Sequence, residues 1–287
     1  MLISQAFRKC VTFLYAESHR RGSAEAERLP VGSAFHVGVE LFPDAPGVYW
    51  APYAVTARHV VEGHDQLWLR VRGQDIGDYK DWPIPREAWY LHPHTDIALT
   101  SLDGVENLGK SDSTFLRLSE FASRDFVQKH EVGEGDDVFF SGLFIGHYGR
   151  GVPLPIVRFG NLALMPREPV EVEISHHPQT WASIEAYLVE ARSWGGQSGS
   201  PAFLSFNANR HMGSVQVGIA PPFALLGLVQ GTWKDPRGMK APDPSGEGMV
   251  EINMGISVVV PAYKIEDALM DEELVAARQA LAPRVRQ

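Results

Sequence analysis

Gly195-Gly196-Gln197-Ser198-Gly199-Ser200-Pro201 is the stretch on which the reading of this chain turns. One serine stands among glycines, a proline follows, and apolar segments flank the run. Glycine lets a backbone turn sharply and come close to a bound molecule. A serine held at such a turn can offer its hydroxyl and its own backbone N–H to one carbonyl group. Gly/Ser loops are common turns, so the run gains its weight from two segments upstream. Tyr53-Ala54-Val55-Thr56-Ala57-Arg58-His59-Val60-Val61 contains a β-type run leading to a histidine, and His94-Thr95-Asp96-Ile97-Ala98-Leu99 sets an acid before an apolar strand. The chain order is therefore His59, Asp96, Ser198. Chain order separates the unrelated folds that carry a Ser-His-Asp constellation.

Thr56-Ala57-Arg58-His59, Asp96-Ile97-Ala98-Leu99 and Gly196-Gln197-Ser198-Gly199-Ser200-Pro201 resemble, in order, the three signature motifs of trypsin-like serine peptidases. Gly32-Ser33-Ala34-Phe35 resembles the strand before the histidine motif in bacterial members such as the high-temperature-requirement proteases. Gly255-Ile256-Ser257-Val258-Val259-Val260-Pro261 resembles their last strand before a C-terminal helix. The resemblance covers the chain from about Cys10 to about Tyr263. It implies an all-β, chymotrypsin-like fold of two antiparallel, six-stranded-type β-barrels with a C-terminal helix, the active site lying between the barrels. The implied units are 1–122 with His59 and Asp96, 123–262 with Ser198, and a helix over 263–287.

By the same resemblance, His59 is the general base, Asp96 orients the imidazole, and Ser198 is the nucleophile. A serine hydroxyl is weakly nucleophilic until a base takes its proton. The backbone N–H groups of Gly196 and Ser198 would form the oxyanion hole, where one donor is typically worth about 2.7–4 kcal/mol in the transition state. Arg192, six residues before the nucleophile, would lie at the base of the substrate pocket, with Gln230, Gly231 and Thr232 on its wall. A guanidinium there would favour Asp or Glu before the cut; the alternative is that Arg192 faces solvent or pairs with Glu190. Gln197 stands where zymogen-activated members carry an aspartate, so no N-terminal cleavage is expected to be needed. Arg58, Ser200 and Gln230 depart from the commonest residues at their positions.

Rival chemistries are weaker. His92-Pro93-His94-Thr95-Asp96 starts like a metallo-hydrolase motif, but Ile97 follows where a further histidine belongs. His176-His177 are adjacent, and neighbouring strand residues point to opposite faces. The glycine run has no P-loop lysine. No metal and no organic cofactor is expected. A second reading of the whole pattern is a peptide-binding or scaffolding protein that keeps the peptidase fold with little turnover.

Composition fits these expectations. In 287 residues, 44% are hydrophobic, enough for a packed core, and the net charge is -9. There is no long basic run, which argues against a nucleic-acid partner. Cys10 is the single cysteine, so no intrachain disulfide can form. Arg8 and Lys9 break the apolar start, giving no secretory signal, and no stretch is long enough for a transmembrane helix. The expectation is a cytoplasmic protein without a membrane partner, acting on a polypeptide substrate; nothing in the sequence addresses oligomeric state.

Residues rich in Val, Ile, Phe and Tyr, punctuated by Gly, Pro and Asp, predict strands. They are Val11–Tyr15, Ser33–Leu41, Tyr53–Ala57, Gln66–Val71, Ile97–Leu102, Asp137–Phe144, Ile156–Ala163, Ile184–Val189, Ala202–Leu204, Leu225–Gln230 and Ile256–Val260. Ser119–Glu134 reads as the crossing between barrels, Asp103–Lys110 as a polar turn, and Asp235–Gly248 as an exposed loop. Apolar residues at helical spacing predict one helix over Tyr263–Arg286.

Overall fold

A computed structural model describes residues 3–19, 26–42, 50–73, 75, 77–105, 108, 111–149, 151–176, 179–191, 196–206, 223–234, 240–242, 249–251 and 254–285. A short helix, α1 (Ala6–Lys9), leads into β1 (Val11–His19), β2 (Ala26–Glu40) and β3 (Trp50–Thr56). Then come α2 (Arg58–Glu62), β4 (Gln66–Arg72), β5 (Tyr79–Pro85), β6 (Tyr90–Leu91), β7 (Ala98–Ser101) and β8 (Leu116–Arg117). These strands make one sheet in the order β5-β4-β1-β2-β3-β7-β6, with β8 parallel to β2. Val11, Phe13, Leu14, Tyr15, Phe35, Tyr53, Val55 and Leu69 bury against one another and form its core.

The predicted crossing carries α3 (Arg124–Lys129), whose first turn is capped by Ser123 Oγ accepting from Phe126 N–H at 3.1 Å. Beyond it lie β9 (Asp137–Gly142), β10 (Ile156–Leu164), β11 (Val170–His176), β12 (Gln179–Ile184), β13 (Tyr187–Glu190), β14 (Pro201–Ser205) and β15 (Phe223–Thr232). The chain ends through β16 (Lys240–Pro242), β17 (Met249–Glu251), β18 (Ile256–Pro261), α4 (Ala262–Leu269) and α5 (Glu272–Val285). Six strands close a barrel in the order β10-β13-β18-β15-β14-β9, while β11 and β12 pair only with each other, as do β16 and β17. The fold is thus an all-β pair, one closed six-stranded barrel and one open, half-barrel sheet, with helices at the C-terminus.

Several elements differ from the sequence-based expectations. Ile184–Val189 is not one strand: Ile184 ends the β11–β12 hairpin, and the chain turns at Glu185-Ala186 before β13. The helix expected over Tyr263–Arg286 is, over its described residues, two helices, because Asp271 Oδ1 caps the second by accepting Glu273 N–H at 3.0 Å. β5 sits at the sheet edge, where Pro83 and Pro85 cost no ladder bond on the open side. Within Asp235–Gly248, Lys240–Pro242 pairs with β17, and residues 235–239 and 243–248 lie outside the described residues.

Candidate active site

His59 is the second residue of α2, which starts directly after β3. Its N–H belongs to the first helical turn, whose donors have no partner inside the helix. Asp96, in the bend just before β7, supplies one: its Oδ1 accepts His59 N–H at 2.9 Å. Its Oδ2 lies 2.8 Å from His59 Nδ1. The Asp96 side chain is 3% exposed and that of His59 20%. A carboxylate facing Nδ1 holds the imidazole proton there and leaves Nε2 as the acceptor in the neutral ring.

Burial pushes the His59 pKa down, but the charge of Asp96 and its hydrogen bond push it up, with further help from Glu62 and Glu173. The net result lies above the usual histidine value of 6.5.

The bend that carries Asp96 is itself pinned. His92 Nδ1 accepts the N–H groups of His94 at 3.1 Å and Thr95 at 3.0 Å. Arg58 Nη1 donates to the carbonyls of His92 at 2.8 Å and Pro93 at 3.3 Å, and its Nε donates to Glu62 Oε1 at 2.7 Å. Arg58 therefore joins the helix of His59 to the loop of Asp96, a role the sequence did not suggest. His92 Nδ1 is occupied by backbone N–H groups, which leaves it no lone pair for a metal. Among the described residues no three His, Cys, Asp or Glu side chains stand together as a metal site. His177 lies outside the described residues.

The serine loop crosses from the other half of the molecule. Gly196 and Gly199 have φ of 91° and 84°, a region glycine adopts without strain. A Cβ on Gly199 would stand 2.0 Å from the Ser33 carbonyl oxygen and 2.4 Å from Thr56 Oγ1. The loop is closed by Ser200 N–H donating to Gln197 O at 2.9 Å and is tied to β15 by Gly199 N–H donating to Val229 O at 2.8 Å. Ser198 is half-buried, and its carbonyl accepts Ser33 N–H at 2.9 Å. A Cβ on Gly231 would be 3.9 Å from Ser198 Oγ. Gln197 is 2% exposed, and among the described residues neither of its amide atoms has a hydrogen-bond partner. Arg192 and Gly195 lie outside the described residues.

Of the remaining expected wall residues, Gln230 meets the β11–β12 hairpin. Gln230 Nε2 donates to Glu173 O at 3.1 Å, so the amide grips the hairpin backbone. Trp233 Nε1 donates to Glu171 O at 3.2 Å, and Lys234 Nζ pairs with Glu173 Oε2 at 2.6 Å. Gly231 and Thr232, opposite Val258 and Ser257 in the ladder with β18, are half-buried. A cavity of about 920 Å3 lies between this hairpin and the first half, lined by His59, Asp96, Arg58, Pro93, Ile174 and Ile184 among others. Sequence reasoning missed the hairpin, though Val170-Glu171-Val172-Glu173-Ile174 alternates strictly, as a half-buried strand does.

Neither a protein-family model nor a curated protein sequence matches this chain. Solved structures do. The MamO protease domain from Magnetospirillum magneticum, in its apo form, is 17% identical, with 93% of this chain and 98% of that one covered at a TM-score of 0.50. The active form of the Rv3671c protease from M. tuberculosis is 16% identical, with 92% and 81% covered at a TM-score of 0.45. The likeness to the MamO domain, together with the closed barrel, the half-barrel sheet and the C-terminal helices, gives this chain the chymotrypsin-like double-barrel fold of protease domains.

Proposed function

We propose that the chain is a serine endopeptidase that acts through an acyl-enzyme intermediate on Ser198. The observation that carries this reading is the two-point grip of Asp96 on His59, at the backbone N–H and at Nδ1. That grip selects the tautomer in which Nε2 accepts a proton, which is what a serine nucleophile needs from its base. His59 takes the Ser198 hydroxyl proton as Oγ attacks the peptide carbonyl. The imidazolium, stabilised by Asp96, then protonates the leaving amine. The backbone N–H groups of Gly196 and Ser198 are the donors for the oxyanion. Water, deprotonated by His59, releases the acyl group. A peptide-binding protein with little turnover is the second reading.

A fluorophosphonate separates the two, since it reports nucleophile activation without a known substrate. The expected result is a single adduct on Ser198, lost in Ser198→Ala and in His59→Ala. Labelling that survives Ser198→Ala, or a folded protein that does not label, would overturn the assignment.

A further inference from the structure

Ser33, in the Gly32–Phe35 motif, is fully buried in β2, on the half of the molecule opposite Ser198. All the hydrogen-bonding capacity of its hydroxyl is used. Its Oγ donates to Gly196 O at 3.0 Å and accepts Leu143 N–H at 2.9 Å and Ser200 O–H at 3.0 Å. A hydroxyl has one proton to give and two lone pairs, so nothing is left over. Its backbone is engaged as well: Ser33 N–H donates to Ser198 O at 2.9 Å, and Ser33 O accepts Thr56 O–H at 2.7 Å. Four of these five bonds reach into the other half of the molecule. The fifth leads to the end of β3, three residues before His59.

The partners are the informative part. Gly196 O and Ser198 O flank Gln197, and both are anchored on Ser33. Anchoring a carbonyl fixes the plane of the peptide that contains it. The 196–197 and 198–199 peptides are therefore held from both sides of the 197–198 peptide, which carries the Ser198 N–H. The hydroxyl also sits against Gly142, where a Cβ would come within 3.1 Å of Ser33 Oγ and 1.8 Å of Ser200 Oγ. Backbone from the second half thus closes over this pair of hydroxyls.

We propose that Ser33 is a positioning residue for the nucleophile loop: it sets the direction of the Ser198 N–H and Oγ from the opposite half of the molecule without touching substrate. The proposal rests on the reading of Ser198 as nucleophile. Misplacing a reacting group by about 1 Å can cost about 10²-fold in rate, and loss of the Gly196 anchor is the kind of change that does so.

The test is saturation kinetics of fluorophosphonate acylation, comparing wild type with Ser33→Ala, Ser33→Cys and Ser200→Ala. Each is corrected for folded fraction and followed over pH. Ser33→Ala should lower the limiting acylation rate about 10²-fold while the inhibitor's apparent binding constant stays within a factor of about two. The midpoint of the acid limb should not move, because the His59–Asp96 pair is untouched. Ser33→Cys, which keeps a side-chain donor at this position but a weaker and larger one, should fall between the two, and it carries the test if the alanine variant does not fold. Ser200→Ala, which removes one donor to Ser33 Oγ and leaves the Gly196 bond, should stay near wild type. A wild-type limiting rate in folded Ser33→Ala or Ser33→Cys overturns the proposal while leaving Ser198 as nucleophile. A drop of equal size in Ser200→Ala also overturns it, since the hydroxyl pair would then act only as packing. A wild-type protein that does not acylate overturns both this proposal and the reading beneath it.

Discussion

At the scale of single residues, the site depends on a proton held by one carboxylate. Asp96 is almost wholly buried and faces His59 at two atoms, and it raises the imidazole pKa against the opposing effect of burial. A raised pKa keeps the cationic form to higher pH, and the cation cannot serve as a base. Acylation of Ser198 should therefore fall as pH drops through a midpoint above 6.5. Asp96→Asn should move that midpoint down and cut the acylation rate by about 10⁴-fold, since the wrong tautomer is then favoured. A pH–rate profile of labelling reads both; an unmoved midpoint in Asp96→Asn would mean that the carboxylate does not set the His59 pKa. The pairing of Asp96 with His59 was legible in the sequence because each sits in a short local pattern, and local patterns survive where overall identity is low. Ser33 was visible only as part of a motif. Its five bonds run to residues far along the chain, and no spacing rule brings them together.

At the scale of elements, the β11–β12 hairpin is the part that gives this site its own character. It belongs to neither sheet and is held over β15 by the Gln230, Trp233 and Lys234 side chains. Trp233→Phe keeps the ring and removes the N–H that Glu171 O accepts. The expected loss is about 0.5–1.5 kcal/mol, concentrated in the hairpin. Hydrogen exchange should quicken across β11 and β12 while the six barrel strands keep their protection; uniform change would show that the hairpin opens only with the barrel. The strand signal of Val170–Ile174 was present in the sequence, but its position above His59 was not, because a hairpin's docking depends on side chains sixty residues away. β5 escaped for a different reason: two prolines disqualify an interior strand and are harmless at an edge. The break between α4 and α5 had a signal too, Asp271 followed by two glutamates, which marks a helix start.

At the scale of the whole molecule, the two halves share one apolar body. Phe139, Phe203, Leu225, Leu228 and Val260 from the second half cluster with the core of the first sheet, and so do Ile265, Ala268 and Leu269 of α4. Arg70 reaches across to the Gly151 carbonyl at 3.0 Å, stacked between Tyr15 and Tyr79. The C-terminal helices return to the first sheet, where Tyr90 O–H donates to Asp271 Oδ2 at 3.0 Å and Arg278 Nη1 to Tyr53 Oη at 3.3 Å. Leu269 is fully buried, so Leu269→Ala should cost about 2–5 kcal/mol. Calorimetry should show the single transition shifted to lower temperature, with no early step for the second barrel alone. Two separated transitions would contradict a shared core.

The return of α4 and α5 to the first sheet has a further consequence for the order in which the protein can be made. Synthesis delivers the N-terminal strands first, at about 5–20 residues per second. The surface that Ile265, Ala268 and Leu269 will cover stays wet until α4 has been made. The first sheet must wait half-finished while the whole second barrel is translated, with β5 and β6 as open edges at its two ends. A chain that stops before α4 lacks the Ile265, Ala268 and Leu269 side chains that complete the core of its own first half.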